Sequence, residues 1–207
     1  MKLAEGMATS CWIFGITLLF SLPLGMVIAF GRMSKKRIVQ GITKIYISIM
    51  RGTPLMLQLM VVYFGPYYLF GIKISPFYRN IAVGFVLNYA AYFAEIYRSG
   101  IESMPVGQYE AAEILGYSKS QTFLHIILPQ VIKRILPSVT NEVITLVKDT
   151  SLAFVIAVSE MFTIAKALAS SQTSMVPYVA AGIFYYVFNF LVAWIMEKIE
   201  KHLSYYR

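Results

Sequence analysis

Four stretches of the chain carry no charge: Cys11–Phe30, Gly52–Gly71, Ile81–Ala94 and Gln172–Met196. A helix needs roughly 20 residues to cross ~30 Å of hydrocarbon. Three of the stretches meet or approach that length, and Ile81–Ala94 borrows from its flanks. A further crossing has to come from 128–160, where Pro129, Pro137, Asn141, Glu142, Lys148, Asp149 and Glu160 interrupt the apolar pattern. That stretch reads as helix, break, helix. The break falls at Lys148–Ser151, and Asp149, Thr150 and Ser151 can cap the helix that follows. The pattern therefore predicts an all-α integral membrane protein with about five crossings, near 10–31, 52–71, 80–97, 128–160 and 177–197.

The segments between crossings are short. Residues 38–48 are amphipathic and suit the membrane interface. Pro54 opens the second crossing, where a missing N–H costs little. Pro23 and Gly25 interrupt the first crossing, which a membrane helix tolerates when its neighbours satisfy the freed backbone. Tyr63, Phe64, Tyr67 and Tyr68 fit an outer aromatic belt. A short outer loop is expected over 72–79, with Pro76. Residues 161–176 read as small, polar and outside. No internal repeat or low-complexity tract appears, so 1–207 reads as a single transmembrane domain.

Composition strengthens this picture. The chain is 58% hydrophobic and 14% charged, against about 25% charged in ordinary soluble domains. A chain this small cannot hide four or five all-round apolar helices from water. The net charge of +8 does not indicate nucleic acid, because the basic groups sit beside the apolar runs. Arg32, Lys35, Lys36, Arg37, Lys44 and Arg51 lie between the first two runs. Arg98, Lys119, Lys133 and Arg134 follow the third, and Lys198, Lys201 and Arg207 close the chain. Lys2, Lys73, Arg79 and Lys166 hold the other flanks. By the positive-inside rule the N-terminus faces outward and the C-terminus faces the cytoplasm. The first run is long for a signal peptide and its basic cluster follows it, so it reads as a retained crossing.

Candidate chemistry narrows the function by what is missing. Cys11 is the only cysteine, which excludes an intrachain disulfide. His125 and His202 are too few and too distant for a zinc site. No phosphate loop, zinc-binding helix motif or nucleophile elbow occurs. The chain reads as non-catalytic, without metal or cofactor of its own.

The informative region is the inner loop at 102–129. Pro105 and Gly107 mark a turn, and 108–115 then form a short helix. Ala111 and Ala112 give it a surface that another backbone can approach. Glu110 is favourable in its first turn, either toward a partner or as an internal cap. Gly116 ends it as a glycine past the last turn does. A helix this short is marginal alone. It either docks on a cytoplasmic partner or lies at the interface.

Glu110-Ala111-Ala112, Gly116, Ile126 and Leu128-Pro129 resemble the EAA loop of permease subunits in binding-protein-dependent ABC importers. Further segments are similar to the polar amino-acid uptake branch. They are Arg51-Gly52-Thr53-Pro54-Leu55 with Gln58-Leu59, Ala94-Glu95-Ile96, Arg98-Ser99-Gly100-Ile101, Pro105-x-Gly107-Gln108, Leu128-Pro129-Gln130 and Leu146-x-Lys148-Asp149-Thr150-Ser151-Leu152. The resemblance covers about 6–200. It implies a type I ABC importer transmembrane domain in a bacterial inner membrane. It also implies a second permease subunit, identical or related, and an extracellular or periplasmic solute-binding protein. A dimer of ATPase subunits would use ATP and Mg. The coupling helix, with Gly107, Glu110, Ala111, Ala112 and Gly116, would sit in a groove of the ATPase.

Ionisable groups within a crossing are costly and usually face a bundle interior or a water-filled cavity. Glu142, with Asn141 beside it, is thus a candidate for the substrate path, and Lys148, Asp149 and Ser151 can shape it. Glu142 could equally be a structural partner of Lys148. Glu160 either meets the binding protein or faces solvent. Glu95 and Arg98 pair or brace the inner loop, and Arg51 snorkels at the boundary. An ion-coupled secondary transporter is the main alternative, supported only by the break in the fourth crossing. A non-transporting scaffold is another.

Overall fold

The computed structural model describes residues 2–72 and 79–203. Lys73, Pro76 and most of the expected 72–79 loop lie outside those residues, as do Tyr205, Tyr206 and Arg207. The described elements are helical: α1 (Lys2–Arg32), α2 (Arg37–Gly52), α3 (Leu55–Phe70), α4 (Arg79–Glu102), α5 (Val106–Ile114), α6 (Lys119–Gln121), α7 (Leu128–Asp149), α8 (Met161–Gln172) and α9 (Val176–Leu203). A π-wound turn, Thr122–Ile127, joins α6 to α7, and a 3₁₀ segment, Thr150–Ile156, prolongs α7.

The core is built around α4. Its Phe85, Tyr89, Ala90, Ala91, Phe93 and Ala94 are buried, and α1, α2, α3 and α7 all pack on it. The buried face of α1 is Ser10, Ile13, Thr17, Ser21, Gly25 and Ala29, mostly small residues spaced three and four apart. That spacing makes one helix face, and small side chains let two helix axes approach closely. Gly25 is one place where α1 comes close to α4. A Cβ there would lie 2.9 Å from Phe93 Cβ and 3.1 Å from the Ala90 carbonyl oxygen. Pro23 stays within a continuous helix.

Outward faces are apolar. Leu19, Phe20 and Val27 of α1, Val61 and Leu69 of α3, and Ile183 and Phe190 of α9 are all exposed. A bilayer, not water, is the solvent for such a surface. By length and apolarity α1 and α9 each suffice to cross it. Two bent pairs also qualify if each counts as one crossing. The axes of α2 and α3 differ by 113°, and those of 119–156 and 161–172 by 59°. Helix α4 is not among them.

The break in the fourth crossing differs from the sequence expectation. No break occurs at Pro137 or at Lys148–Ser151. Helix α7 runs through Pro137 to Asp149 and tightens into the 3₁₀ segment. The reason is that Thr150 and Ser151 do not cap anything. Their hydroxyls donate back to the Val147 carbonyl (2.8 Å) and the Lys148 carbonyl (2.7 Å), which keeps the chain helical. The break lies instead at Ala157, whose φ of 58° is left-handed. Residues 161–172, within the 161–176 segment expected to be small, polar and outside, form α8, with Met161, Ala165 and Ala169 buried at four-residue spacing.

Candidate functional site

The short helix expected at 108–115 is α5. Pro105 sits at its N-cap. Past its last turn, Gly116 is left-handed at φ 79°. The Gly116 N–H reaches the Glu113 carbonyl at 2.9 Å, and the Tyr117 N–H reaches the Ala112 carbonyl at 3.0 Å. This is the paired arrangement that closes a helix on a glycine. Ala112 is buried, whereas Gly107, Glu110 and Ala111 are exposed. The two alanines thus face different ways. The sequence reading did not single out the apolar side chains around them. Val106, Ile114, Leu115 and Tyr117 are all exposed, Ile114 at 86%. The stretch Val106–Tyr117 held the signal, since a solvated helix this short has little reason to carry them.

Helix α5 is tied to α7 by side chains drawn from the quoted motifs. Gln130 Nε2 donates to Gln108 Oε1 at 3.3 Å. Arg134 donates to the Ser103 carbonyl at 2.6 Å and to Ser103 Oγ at 3.0 Å, fixing α7 to the turn between α4 and α5. The entry to α7 is stiffened on both sides. Ser118 and Gln121 form a reciprocal cap. Pro129 has no N–H to give His125, and the turn before it widens, so that the Leu128 N–H reaches the Phe123 carbonyl five residues back.

The same helix carries the candidate path residues. Glu142 is half-buried and lines a cavity of about 480 Å³ with Arg51, Tyr92, Glu95, Arg98 and Arg134. Glu95 anchors the charges around it. Arg98 Nη2 approaches it at 2.7 Å, and Arg32 and Arg51 each at 4.0 Å. Arg98 thus pairs with Glu95, as expected, and also with Glu102 one turn further along α4. Arg51 additionally lies over the Tyr92 ring, 5.3 Å from its centre, so it does more than snorkel. No ion pair joins Glu142 to Lys148 among the described residues. Asp149 accepts a hydrogen bond from Tyr89 Oη at 2.7 Å, linking α7 to α4. Asn141 and Lys148 are exposed, and Ser151 is bonded within its own helix. Of the five candidates, the structure brings Glu142 alone to the arginine-lined cavity.

Two groups matter that the sequence left undeveloped. Gln58 and Asn88 are buried and bonded to each other at 2.9 Å. Gln58 Nε2 donates to the carbonyls of Met50 (2.9 Å) and Thr53 (3.0 Å) and to Thr53 Oγ (2.7 Å). Asn88 Nδ2 adds a second donor to Met50, at 3.2 Å. Together they bind the bend between α2 and α3 to α4. Glu160 is fully buried, so it neither faces solvent nor offers itself to a partner. Its carboxylate caps α8, accepting from the Phe162 and Thr163 N–H groups at 2.6 Å each and from Tyr185 Oη at 3.0 Å. The signal was present in Glu160-x-x-Thr163 but was masked by the assumption that the helix had already begun at Leu152.

Residues 21–205 match the family of binding-protein-dependent transport system inner membrane components. The L-cystine transport system permease protein TcyL of Bacillus subtilis is 40% identical, covering 93% of this chain and 83% of that protein. The arginine transport system permease protein ArtQ of the same organism is 37% identical, covering 97% and 91%. A putative glutamine transport system permease protein of Rickettsia bellii is 37% identical, covering 91% and 86%. Among solved structures, an amino acid ABC transporter crystallised with histidines superposes with a TM-score of 0.88, at 29% identity over 97% of this chain and 94% of that one. The MetNI methionine ABC transporter superposes at 0.75 and 15% identity, covering 98% and 94%, a likeness of fold.

Proposed function

This chain belongs to the inner membrane components of binding-protein-dependent transport systems, as a non-catalytic subunit of an ATP-driven amino-acid importer, and from that premise we propose how it works. The fold is that of a type I ABC importer membrane domain. The ion-coupled alternative has no support beside that membership.

In this proposal the chain crosses the membrane five times, through α1, α3, α4, the α7–3₁₀ unit and α9. The N-terminus is outside and the C-terminus is cytoplasmic. The distribution of Lys and Arg supports the orientation. Burial supports counting α4: sheathed by four other helices, it can carry Asn88, Glu95 and Arg98 without presenting them to lipid. The whole chain is one membrane domain, with its coupling loop at 102–129.

Helix α5 is the coupling helix. The observation that carries this is its surface: Val106, Ile114 and Leu115 stand exposed beside Glu110 and Ala111 on a helix tied to α7 through Gln108 and Gln130. An ATPase subunit that grips this face can move α7 as it closes on ATP. Helix α7 in turn carries Glu142 into the arginine-lined cavity and pulls on α4 through Asp149 and Tyr89. Gly107 leaves room at the helix entry, and Gly116 fixes the exit.

Glu142 is the substrate-path residue of this reading, with Asn141, Lys148, Asp149 and Ser151 as its surroundings. A carboxylate there attracts the ammonium group of a polar amino acid. The amino acids for which the relatives are named, cystine, arginine and glutamine, support that class. A solute-binding protein delivers it, and a second permease subunit completes the path. The ATP and Mg belong to the ATPase dimer.

The test is reconstitution of this chain with its ATPase and binding protein in proteoliposomes. Amino-acid uptake should require ATP and ignore ion gradients. Uptake that persists without the ATPase and follows an ion gradient would contradict the proposal.

A further inference from the structure

Helix α2 has three faces. Thr43, Tyr46, Ile47 and Met50 turn toward the protein: Tyr46 Oη donates to the Leu87 carbonyl at 2.5 Å, Ile47 is buried, and Thr43 lies against Gly31 of α1. Ile38, Ile42, Ile45 and Ile49 recur at four- and three-residue spacing and form a second face. They are 52–78% exposed. The third face and its approach carry Lys35, Lys36, Arg37 and Lys44, all exposed and none within an ion pair among the described residues. A helix with one aliphatic and one unneutralised basic face suits a plane where hydrocarbon meets anionic headgroups.

Orientation supplies the independent observation. The axis of α2 is turned 113° from that of α3. If α3 crosses the bilayer, as proposed above, α2 runs close to the membrane plane. Its start follows Arg32, the end of the first crossing, so it lies at the cytoplasmic boundary. There the isoleucines meet acyl chains and the lysines meet lipid phosphates.

We propose that α2 is an interfacial helix that binds anionic phospholipid of the cytoplasmic leaflet through Lys35, Lys36, Arg37 and Lys44, with the isoleucine face in the hydrocarbon. The charge complementarity favours an anionic lipid over a second copy of the chain, since two such basic faces would repel. Each Lys or Arg near an anionic surface strengthens association several-fold, so the four act as one adhesive patch that holds the α2–α3 bend in the membrane.

The test uses the full transport complex with Cys11→Ser, in vesicles of phosphatidylcholine with or without phosphatidylglycerol. A bimane on Ile42→Cys should be quenched by brominated acyl chains, and one on Lys44→Cys should not. Native mass spectrometry of the complex should show phosphatidylglycerol retained over phosphatidylcholine, and Lys35→Gln/Lys36→Gln/Arg37→Gln/Lys44→Gln should lower that preference about tenfold or more. An unquenched Ile42 label means that protein covers this face and overturns the proposal. So does an unchanged lipid preference in the quadruple variant. ATP-driven uptake by the parent complex in the same vesicles keeps the two readings apart: its failure strikes at the transport function, while the quenching and retention report on α2 alone.

Discussion

The two bends in this protein are held by opposite chemistry. At the α2–α3 bend the groups without an intrahelical partner are carbonyls at the end of a helix, Met50 and Thr53, and neutral amides donate to them from Gln58 and Asn88. At the bend before α8 the groups without an intrahelical partner are N–H donors at the start of a helix, Phe162 and Thr163, and a carboxylate accepts from them. The polarity of the helix end decides which side chain can serve. A carboxylate could not satisfy the first bend, and a lysine could not satisfy the second. Each solution also reaches across the fold, since Asn88 belongs to α4 and Tyr185, which bonds Glu160, belongs to α9.

This contrast can be broken from either side. The largest effect is expected for Glu160→Ala, which leaves two half-buried N–H groups without an acceptor and takes one partner from the Tyr185 hydroxyl. It should lower stability by about 3 kcal/mol, read as thermal unfolding of the detergent-solubilised complex. An unchanged melting temperature would mean that the cap is dispensable. Gln58→Leu keeps the volume but removes the donors, and should cost about 2 kcal/mol. Gln58→Leu/Asn88→Leu should cost less than the sum of the single changes, because the two amides share one network; strict additivity would dissolve that network. Glu160→Gln keeps one acceptor oxygen but sets its NH2 against the other N–H donor of the cap, so it should cost about 2 kcal/mol. If it behaves like Glu160→Ala, both carboxylate oxygens are needed to hold α8. The smallest effect has the opposite sign. Ala157 is left-handed without being a glycine, and Ala157→Gly should stabilise by about 1 kcal/mol. A loss instead would show that the alanine methyl makes a contact worth more than the strain.

How much of this was legible depended on distance along the chain. The short helix α5 was readable because its signals are local: a proline before it and a glycine after it. The long apolar helices α1 and α9 were readable because lipid imposes length and apolarity. The Gln58–Asn88 lock was not, because its halves are separated by much of α3 and the 72–79 loop. Polar residues near the fourth crossing misled for a different reason. Thr150 and Ser151 resemble caps in sequence, yet a hydroxyl that bonds back to its own helix prolongs it. The arginine-lined cavity needed three dimensions as well, since Arg51, Glu95, Arg134 and Glu142 come from three helices.

The account rests on α5 as the element that passes ATP-driven motion to α7. Ala111→Trp tests this most directly, because Ala111 is exposed on the proposed docking face while the buried Ala112 is left untouched. In proteoliposomes with the ATPase and binding protein, uptake by Ala111→Trp should fall to background while the ATPase still hydrolyses ATP. Coupled transport at the unaltered rate would contradict the assignment of α5.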